Sequence, residues 1–440
     1  MNARAAALEI FRRVETDGAY VDELLREGLS GLSLKDRAFC RELALGAMRW
    51  RGRLDWALSL CLKGDLEGLP LPIRNVLRLG AYQILFSDGV PDRAAVHESV
   101  ELAKRVGHRG TVGLVNAVLR KVSQERDRMA YPDLERDPAG YLCVVGSHPR
   151  WLCTRWIERF GMEEAALLCA ANNRRRPVSV RVNRLKGTVE DFLARLEKEG
   201  FSGVPSELTP GFVEIPEAQG LFETDVFRSG WFQAQDPSAG LAGLLLDPQP
   251  GERVLDLCAA PGGKTTHLAE LMGNVGTIVA LDRHPRRVDR IVQNVRRLGI
   301  EIVQTAAIDA LAYQGGAFDR VLVDAPCSGT GVFARRVDAR WRLEEKDIGE
   351  LVALQGQLLE KGASTLRPGG RLVYSTCTME EEEDEGVVGD FLSRHPEFVL
   401  EPASKSIGPP FGDFVRTYPH RHGTDGSFAA CLCFGRTREE

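Results

Sequence analysis

The chain has 440 residues, of which 43% are hydrophobic and 27% charged, and its formal net charge is −5 at pH 7. The length predicts two or three domains, and the negative net charge gives the chain as a whole no attraction for nucleic acid. Apolar runs such as Leu241 to Leu246 are far shorter than the roughly 20 residues of a membrane span, and charges interrupt any N-terminal signal core, so we expect a cytoplasmic protein without membrane contact.

The cysteines argue against a metal site and a disulfide framework. There are 10 of them, without a C-x-x-C pair and without a histidine cluster beside them at ligand spacing. We therefore expect no metal, and mostly inert, buried thiols.

Residues 1–140 are predicted to form an all-α bundle. Apolar residues recur at helical spacing, with glycine and proline at the joints, in Ala5 to Val14, Tyr20 to Leu29, Asp36 to Trp56, Ile73 to Phe86 and His97 to Val122. Periodicity alone assigns this region no activity.

Residues 141–231 are predicted to form a small α+β subdomain. Two helices, containing Trp151 to Phe160 and Ala165 to Ala171, precede an alternating strand at Pro177 to Asn183, and a further helix leads to short strands around Phe212 to Ile215. The basic segment Arg174 to Arg176 fits either a solvated surface or a contact with phosphate.

Residues 232–440 are predicted to form an α/β domain with a doubly wound, Rossmann-like sheet, because strands and helices alternate. The predicted strands are Val254 to Cys258, Gly276 to Asp282, Ile302 to Ile308, Arg320 to Asp324, Arg371 to Ser375, Phe398 to Leu400 and Ala429 to Phe434. The predicted helices are Thr265 to Met272, His284 to Leu298, Glu344 to Leu366 and Glu381 to Arg394. The acidic run Glu380 to Glu385 is thus predicted to be the solvated start of a helix.

Two cysteines follow predicted buried strands, each in a motif in which an aliphatic run is bounded by proline, glycine or serine. Cys327 lies in Val321-Leu-Val-Asp-Ala-Pro-Cys-Ser-Gly-Thr-Gly331, and Cys377 lies in Leu372-Val-Tyr-Ser-Thr-Cys-Thr378. Ligands collect at the carboxyl ends of parallel strands, and adjacent strands lie roughly 4.8 Å apart. If the two strands are neighbours, both thiols are placed to act on one substrate atom.

A loop of small residues between a strand and a helix predicts a nucleoside site. It consists of Cys258, Ala259, Ala260, Pro261, Gly262, Gly263 and Lys264, and its spacing matches neither the dinucleotide nor the P-loop pattern. Three acids end successive strands: Asp282, placed for ribose hydroxyls, Asp309, placed for an adenine edge, and Asp324. Together they favour S-adenosylmethionine. Lys264 fits a contact with the cofactor or the substrate base, or a solvent-facing position.

Two thiols beside a methyl donor indicate methylation of a pyrimidine. A thiolate that adds to C6 makes C5 a carbon nucleophile that can take a methyl group, after which a base removes the C5 proton and the thiol leaves. A free thiol, with a pKa of about 8.5, is little ionised at neutral pH, so local positive charge or hydrogen bonds are needed. Asp324 is a candidate to hold the protonated N3 or the exocyclic amine of cytosine.

Three segments carry a family resemblance: Asp324-Ala-Pro-Cys-Ser-Gly-Thr-Gly331, Tyr374-Ser-Thr-Cys377 and Cys258-Ala-Ala-Pro-Gly-Gly-Lys264. They resemble the RNA cytosine-5 methyltransferases, and the layout is similar to the bacterial small-subunit rRNA branch, the Sun/Fmu group. The resemblance implies S-adenosylmethionine as cofactor, 16S rRNA as partner, Cys377 as nucleophile and Cys327 as the residue that assists product release. DNA cytosine-5 methyltransferases use the Pro-Cys cysteine as nucleophile instead. Residues 1–140 resemble the RNA-binding bundle of NusB, which implies a role in docking the substrate, and a monomer is expected.

Two positions depart from the family pattern. Asp384 stands where asparagine is usual, and Ser427 stands where an aromatic residue usually precedes Phe428. Two other functions stay open. One is a noncatalytic RNA-binding or assembly factor, against which the intact cysteines and strand-end acids count. The other is a methyltransferase of DNA or tRNA, against which the cysteine roles and the NusB-like region count. Trp341 fits either core packing or base stacking.

Overall fold

The computed structural model describes residues 2–29 and 31–435, apart from the side chain of Glu27. The chain divides into two compact units. The first runs from the N-terminus to Arg174 and includes Phe333–Leu343, and the second comprises Arg175–Val332 and the chain from Glu344 onward. Among the described residues, no helix combines the length and apolar character needed to cross a membrane.

The first unit is helical, as the periodicity predicts. Its helices are α1 (Ala3–Thr16), α2 (Val21–Glu27), α3 (Leu34–Arg49), α4 (Arg51–Cys61), α5 (Leu71–Phe86), α6 (Asp92–Val106), α7 (Arg109–Glu125), α8 (Pro138–Val145) and α9 (Arg150–Asn173). Helix α5 runs through the core, where Val76, Leu77 and Ala81 are fully buried. Helices α1 and α3 start at the side-chain caps Asn2 and Ser33, each of which accepts a hydrogen bond from a backbone N–H three residues on.

The segment Phe333–Leu343 is held in the first unit by Arg340 and Trp341. The guanidinium of Arg340 is fully buried and donates to four backbone carbonyls, at 3.0 Å to Ser147, 3.0 Å to Asn172, 3.2 Å to Phe333 and 3.4 Å to Arg49. The indole N–H of Trp341 donates to the carbonyl of Met48 at 2.7 Å. Trp341 therefore packs within this unit, which favours the first of its two predicted roles.

The second unit begins with a small antiparallel sheet. Its strands are β1 (Val178–Val182), β2 (Val204–Pro205), β3 (Phe212–Ile215) and β4 (Phe232–Ala234), in the order β2-β3-β1-β4, with the helices α10 (Val189–Lys198) and α11 (Asp225–Arg228). Buried apolar side chains from strands and helix share one core, among them Val180, Phe192 and Phe232. Strands and helices are thus combined here, as predicted for an α+β subdomain, but helices α8 and α9, whose residues from 141 onward that prediction placed in the same subdomain, belong to the first unit.

The rest of the second unit is an α/β fold. Its helices are α12 (Pro237–Leu246), α13 (Gly263–Leu271), α14 (Pro285–Leu298), α15 (Glu345–Thr365), α16 (Glu385–Arg394), α17 (Ala403–Ile407) and α18 (Pro419–His422). Its strands are β5 (Arg253–Asp256), β6 (Thr277–Leu281), β7 (Val303–Ala306), β8 (Phe318–Asp324), β9 (Leu366–Thr376), β10 (Phe398–Glu401), β11 (Val415–Thr417) and β12 (Ser427–Phe434). All seven predicted strands are present.

The order of the large sheet is β10-β12-β9-β8-β5-β6-β7, with β11 paired to β12. The five strands from β9 to β7 are parallel, and β12 is antiparallel to both β9 and β10. After β5, the chain adds β6 and then β7 on one side of that strand, and it adds β8 on the other side of β5. The strand order therefore reverses between β5 and β8, where a crevice forms at the carboxyl ends of the strands.

Candidate active site

The two predicted cysteines meet at the carboxyl ends of adjacent strands. Strands β8 and β9 are parallel neighbours, with Asp324 paired to Ser375 at their ends. The sulfur atoms of Cys327 and Cys377 lie 3.3 Å apart, and the backbone N–H of Cys377 donates to the sulfur of Cys327 at 3.2 Å. Both side chains are partly exposed. A substrate atom that enters the crevice can thus reach both thiols.

An ion pair lies beside the thiols. The Lys264 ammonium is 2.7 Å from a carboxylate oxygen of Asp324, and the Ser375 hydroxyl donates to the same oxygen at 2.8 Å. Burial lowers the pKa of Lys264, but the ion pair with Asp324 outweighs burial and the pKa is raised; the Cys377 sulfur adds to the raising. Lys264 is therefore not a solvent-facing cation, and its charge favours the thiolate form of Cys377.

The Cys327 thiol has a raised affinity for its proton. The pKa of Cys327 is raised well above the ordinary thiol value, first by its hydrogen bond to Cys377 and then by burial. The raised pKa favours Cys327 as the S–H donor of this pair. Burial also raises the pKa of the Cys258 thiol, with the nearby carboxylates of Asp256 and Asp324 adding to the effect, so Cys258 is an inert member of the loop.

The small-residue loop is built around Gly262. Its φ of +96° lies in the left-handed region, and a Cβ atom there would be 3.2 Å from the Cα of Ile291. The loop is tied back to α14: the carbonyl of Ala260 accepts from Arg287 at 3.0 Å, and that of Pro261 from Asn294 at 3.0 Å. The loop backbone is thus fixed where it leads into α13.

The strand-end acids have different environments. Asp282, directly after β6, is nearly buried; it accepts from the backbone N–H of His284 at 2.9 Å and lies 3.4 Å from Arg287. Asp309 follows β7, is exposed, and accepts from the N–H of Leu311 at 2.9 Å. Asp324 ends β8 in the Lys264 pair. Asp324 is thus the last residue of β8, Asp282 follows β6 directly, and Asp309 lies three residues beyond β7, so all three lie beyond or at the carboxyl ends of parallel strands.

Five buried charged residues of this region were not predicted. Asp256, at the end of β5, is fully buried; the Thr265 hydroxyl donates to it at 2.7 Å, and burial raises its pKa to about 7. Arg181, on β1, pairs with Glu270 through two hydrogen bonds of 2.8 and 3.0 Å and donates to the carbonyl of Gly263 at 2.7 Å. The other two, Glu383 and Asp384, belong to the acidic run.

The interpretation of the acidic run as a solvated helix start is wrong for these two residues, which are both fully buried. Asp384 accepts from the Thr376 hydroxyl at 2.6 Å and from Arg416 at 3.0 Å. Burial raises the pKa of Asp384 well above its ordinary value, against the opposing effect of Arg416. The aspartate that departs from the family pattern therefore has a cationic partner of its own.

Ser427, the second departure, lies at the rim of the site. A cavity beside Cys377 is lined by Lys264, Ser427, Phe428 and Asp236 among others. The Ser427 hydroxyl lies 3.1 Å from that of Thr417. A serine here fills less of this cavity than an aromatic ring would. Of the basic segment considered above, Arg176 donates to the carbonyl of Pro419 at 2.8 Å, so it is bonded within the protein.

Three family models match the chain. Residues 243–433 match the 16S rRNA methyltransferase RsmB/F model, residues 1–124 the NusB family, and residues 148–220 the ferredoxin-like domain of RsmF/B-like methyltransferases. The predicted boundaries at 140 and 231 are not tested by these matches and stay predictions.

Individual proteins match over greater lengths. A Bacillus subtilis (strain 168) protein named "Probable ribosomal RNA small subunit methyltransferase B" is 35% identical, with 98% of each chain covered. The crystal structure of PH0851 superposes with a TM-score of 0.83 at 30% identity, covering 98% of this chain and 99% of that one. The crystal structure of NSun6 from Pyrococcus horikoshii with SFG gives a TM-score of 0.59 at 26% identity, covering 66% and 99%. On these matches the chain belongs to the 16S rRNA methyltransferase RsmB/F family.

Proposed function

We propose that this chain methylates C5 of a specific cytosine in 16S rRNA, with S-adenosylmethionine as cofactor, through a covalent bond between Cys377 and C6 that Cys327 helps to break. The observation that carries the proposal is the 3.3 Å contact between the two sulfur atoms beside the Lys264–Asp324 pair. A noncatalytic RNA-binding factor would have no need for two thiols in contact at the mouth of a crevice.

The loop and the strand-end acids fit S-adenosylmethionine. The close approach of Gly262 to Ile291 gives the loop a fixed shape, and its small residues leave the backbone open to a ligand. Gly262 and Gly263 would hold the methionine end, Asp282 the ribose hydroxyls and Asp309 the adenine edge. The match to NSun6, whose crystal structure contains SFG, an analogue of the cofactor, supports the same assignment. When bound, S-adenosylmethionine supplies an electrophilic methyl group.

Cys377 is the nucleophile in this proposal. Its thiolate, favoured by the charge of Lys264, forms a bond to C6 and leaves C5 electron-rich. Asp324, partly exposed and oriented by Ser375, would hold the protonated N3 or the exocyclic amine of the ring, which draws electrons away from C6. The Lys264 ammonium, 2.7 Å from this carboxylate, helps to hold it in place for that role.

Cys327 acts when the product leaves. When a base takes the C5 proton, the C5–H electron pair restores the ring double bond and the bond between Cys377 and C6 breaks, which returns an electron pair to the Cys377 sulfur. The Cys327 thiol keeps its proton and touches that sulfur, so it can donate a hydrogen bond to the departing thiolate. Without this donor the covalent adduct should persist.

The substrate cytosine has to leave its stack to reach the crevice. An unpaired loop base is the least costly target, because little stacking or pairing is lost. The NusB-like residues 1–140 would bind the rRNA. The Asp324 carboxylate would select cytosine by its contact with the protonated N3 or the exocyclic amine.

The test compares wild type with Cys377→Ala and Cys327→Ala, using tritiated S-adenosylmethionine and 16S rRNA, on a denaturing gel. We expect Cys377→Ala to lose transfer by at least about 10³-fold, since no covalent step remains. We expect Cys327→Ala to accumulate a protein–RNA adduct. An adduct in Cys377→Ala, or its absence in Cys327→Ala, would contradict the assigned roles.

A further inference from the structure

One buried carboxylate connects the two cysteine loops. Glu383 is fully buried, and it accepts hydrogen bonds from the residue that follows each cysteine. The backbone N–H of Ser328 donates to it at 2.8 Å, and the Thr378 hydroxyl donates to it at 2.9 Å. The Ser328 hydroxyl also donates to Glu383. A single carboxylate thereby fixes the chain just beyond both sulfur atoms.

Gln355 extends this connection to the other side of Cys327. Its amide donates to Glu383 at 2.9 Å and to the carbonyl of Pro326 at 2.9 Å. The residues before and after Cys327 are therefore both tied to Glu383, one directly and one through a fully buried amide on α15.

The two loops depend on Glu383 to different extents. Cys377 directly follows β9, where Thr376 is paired with Phe428 of β12 and bonded to Asp384. Cys327 lies three residues beyond the last paired residue of β8. The strand ladder thus fixes Cys377 whether or not Glu383 is present. The loop that carries Cys327 lies beyond the ladder and is held by side chains: Glu383 and Gln355 hold the residues next to Cys327, and the Thr330 hydroxyl, 3.0 Å from that of Thr378, holds the loop further on.

We propose that Glu383 is the positioning residue of Cys327: it holds this thiol against Cys377 and is needed for release of the RNA adduct rather than for its formation. This inference rests on the proposed function. The charge of Glu383 acts in the same direction, because after the bond to Cys377, burial and the charge of Cys377, Glu383 further raises the pKa of Cys327 and so keeps its proton in place.

The test is a comparison of Glu383→Ala, Glu383→Gln and Cys327→Ala in single-turnover and multiple-turnover methylation of 16S rRNA. Glu383→Ala should keep single-turnover transfer within about threefold, lose at least about tenfold in turnover, and accumulate the adduct as Cys327→Ala does. Glu383→Gln should restore most of the release, because its amide oxygen can accept from Ser328 and Gln355 while the hydroxyls of Ser328 and Thr378 reverse their roles.

Glu382→Ala is the matched control, since this neighbouring glutamate is exposed, and it should behave as wild type. If Glu383→Ala does not fold, Gln355→Leu carries the test, with the adduct again expected to persist. The inference is overturned if a folded Glu383→Ala, or Gln355→Leu in its place, releases product at the wild-type rate, or if it loses transfer without any adduct. A Cys327→Ala variant that forms no adduct would instead overturn the proposed function.

Discussion

Among single residues, Asp256 has a measurable effect on stability. Burial raises the pKa of this carboxyl to about 7 in the folded chain, against roughly 3.9 for an unperturbed aspartate. Between these two values the folded state binds more protons than the unfolded state. The contribution of Asp256 to the free energy of unfolding is therefore greatest below the lower value, falls as the pH rises, and is lost above about pH 7.

As the pH rises, we expect the free energy of unfolding of Asp256→Asn to increase relative to that of the wild type. Asparagine resembles the protonated acid in shape and does not titrate, so the shift between pH 5 and pH 7 should be roughly 2 kcal/mol. Urea unfolding at several pH values measures it, with the exposed Asp289→Asn as control. A difference that stays constant over this range would refute the assignment.

Some residues of the site can be predicted from local sequence patterns, and others cannot. Cys327, Cys377 and the acids at the strand ends follow short aliphatic runs, and parallel strands bring such positions to one edge, so the sequence predicts their meeting. Glu383 could not be predicted in this way. It lies within a run of acidic residues. Its carboxylate is satisfied in the interior by hydrogen-bond donors that are more than 25 residues away in sequence, Gln355 and Ser328.

Among the secondary-structure elements, β1 and α13 are joined by a buried ion pair whose contribution to stability can be measured. Arg181 and Glu270 form a nearly fully buried pair, and Arg181 also bonds the first residue of α13, Gly263. Removal of one partner from a buried pair leaves an uncompensated charge and costs about 3–5 kcal/mol. The small sheet thus supports the helix that starts at the loop assigned to the cofactor.

A double-mutant cycle of Arg181→Met and Glu270→Leu tests this contact by urea unfolding. We expect each single variant to lose about 3–5 kcal/mol and the double variant to lose at least about 2 kcal/mol less than the sum. The exposed pair Arg228–Asp225 is the matched control, with an expected coupling below about 0.5 kcal/mol. Additive losses at Arg181 and Glu270 would mean that the pair does not act as a unit.

The elements themselves were predicted where the pattern was long and regular. Alternating strands and helices from β5 to β12 gave the doubly wound sheet, but α12 was treated only as an apolar run. Eight of its residues are buried, so no polar face reveals a helical period. The three-residue strand β11 is too short to show alternation.

For the whole molecule, the order of the three matched regions follows the predicted order of helical, α+β and α/β parts. The grouping of Phe333–Leu343 with the helical unit was not predicted, because it depends on contacts such as that of Arg340 with Ser147, far apart in sequence. The monomeric state and the cytoplasmic location stay predictions.

The most direct test of the central claim is to identify the methylated atom and its position. The wild-type protein is incubated with S-adenosylmethionine and unmodified 16S rRNA, and the rRNA is analysed by nucleoside mass spectrometry and bisulfite sequencing, with 23S rRNA and tRNA in parallel. We predict 5-methylcytidine at a single position of 16S rRNA and at none in the other two. A methyl group on another atom, or transfer only to tRNA or 23S rRNA, would contradict the account.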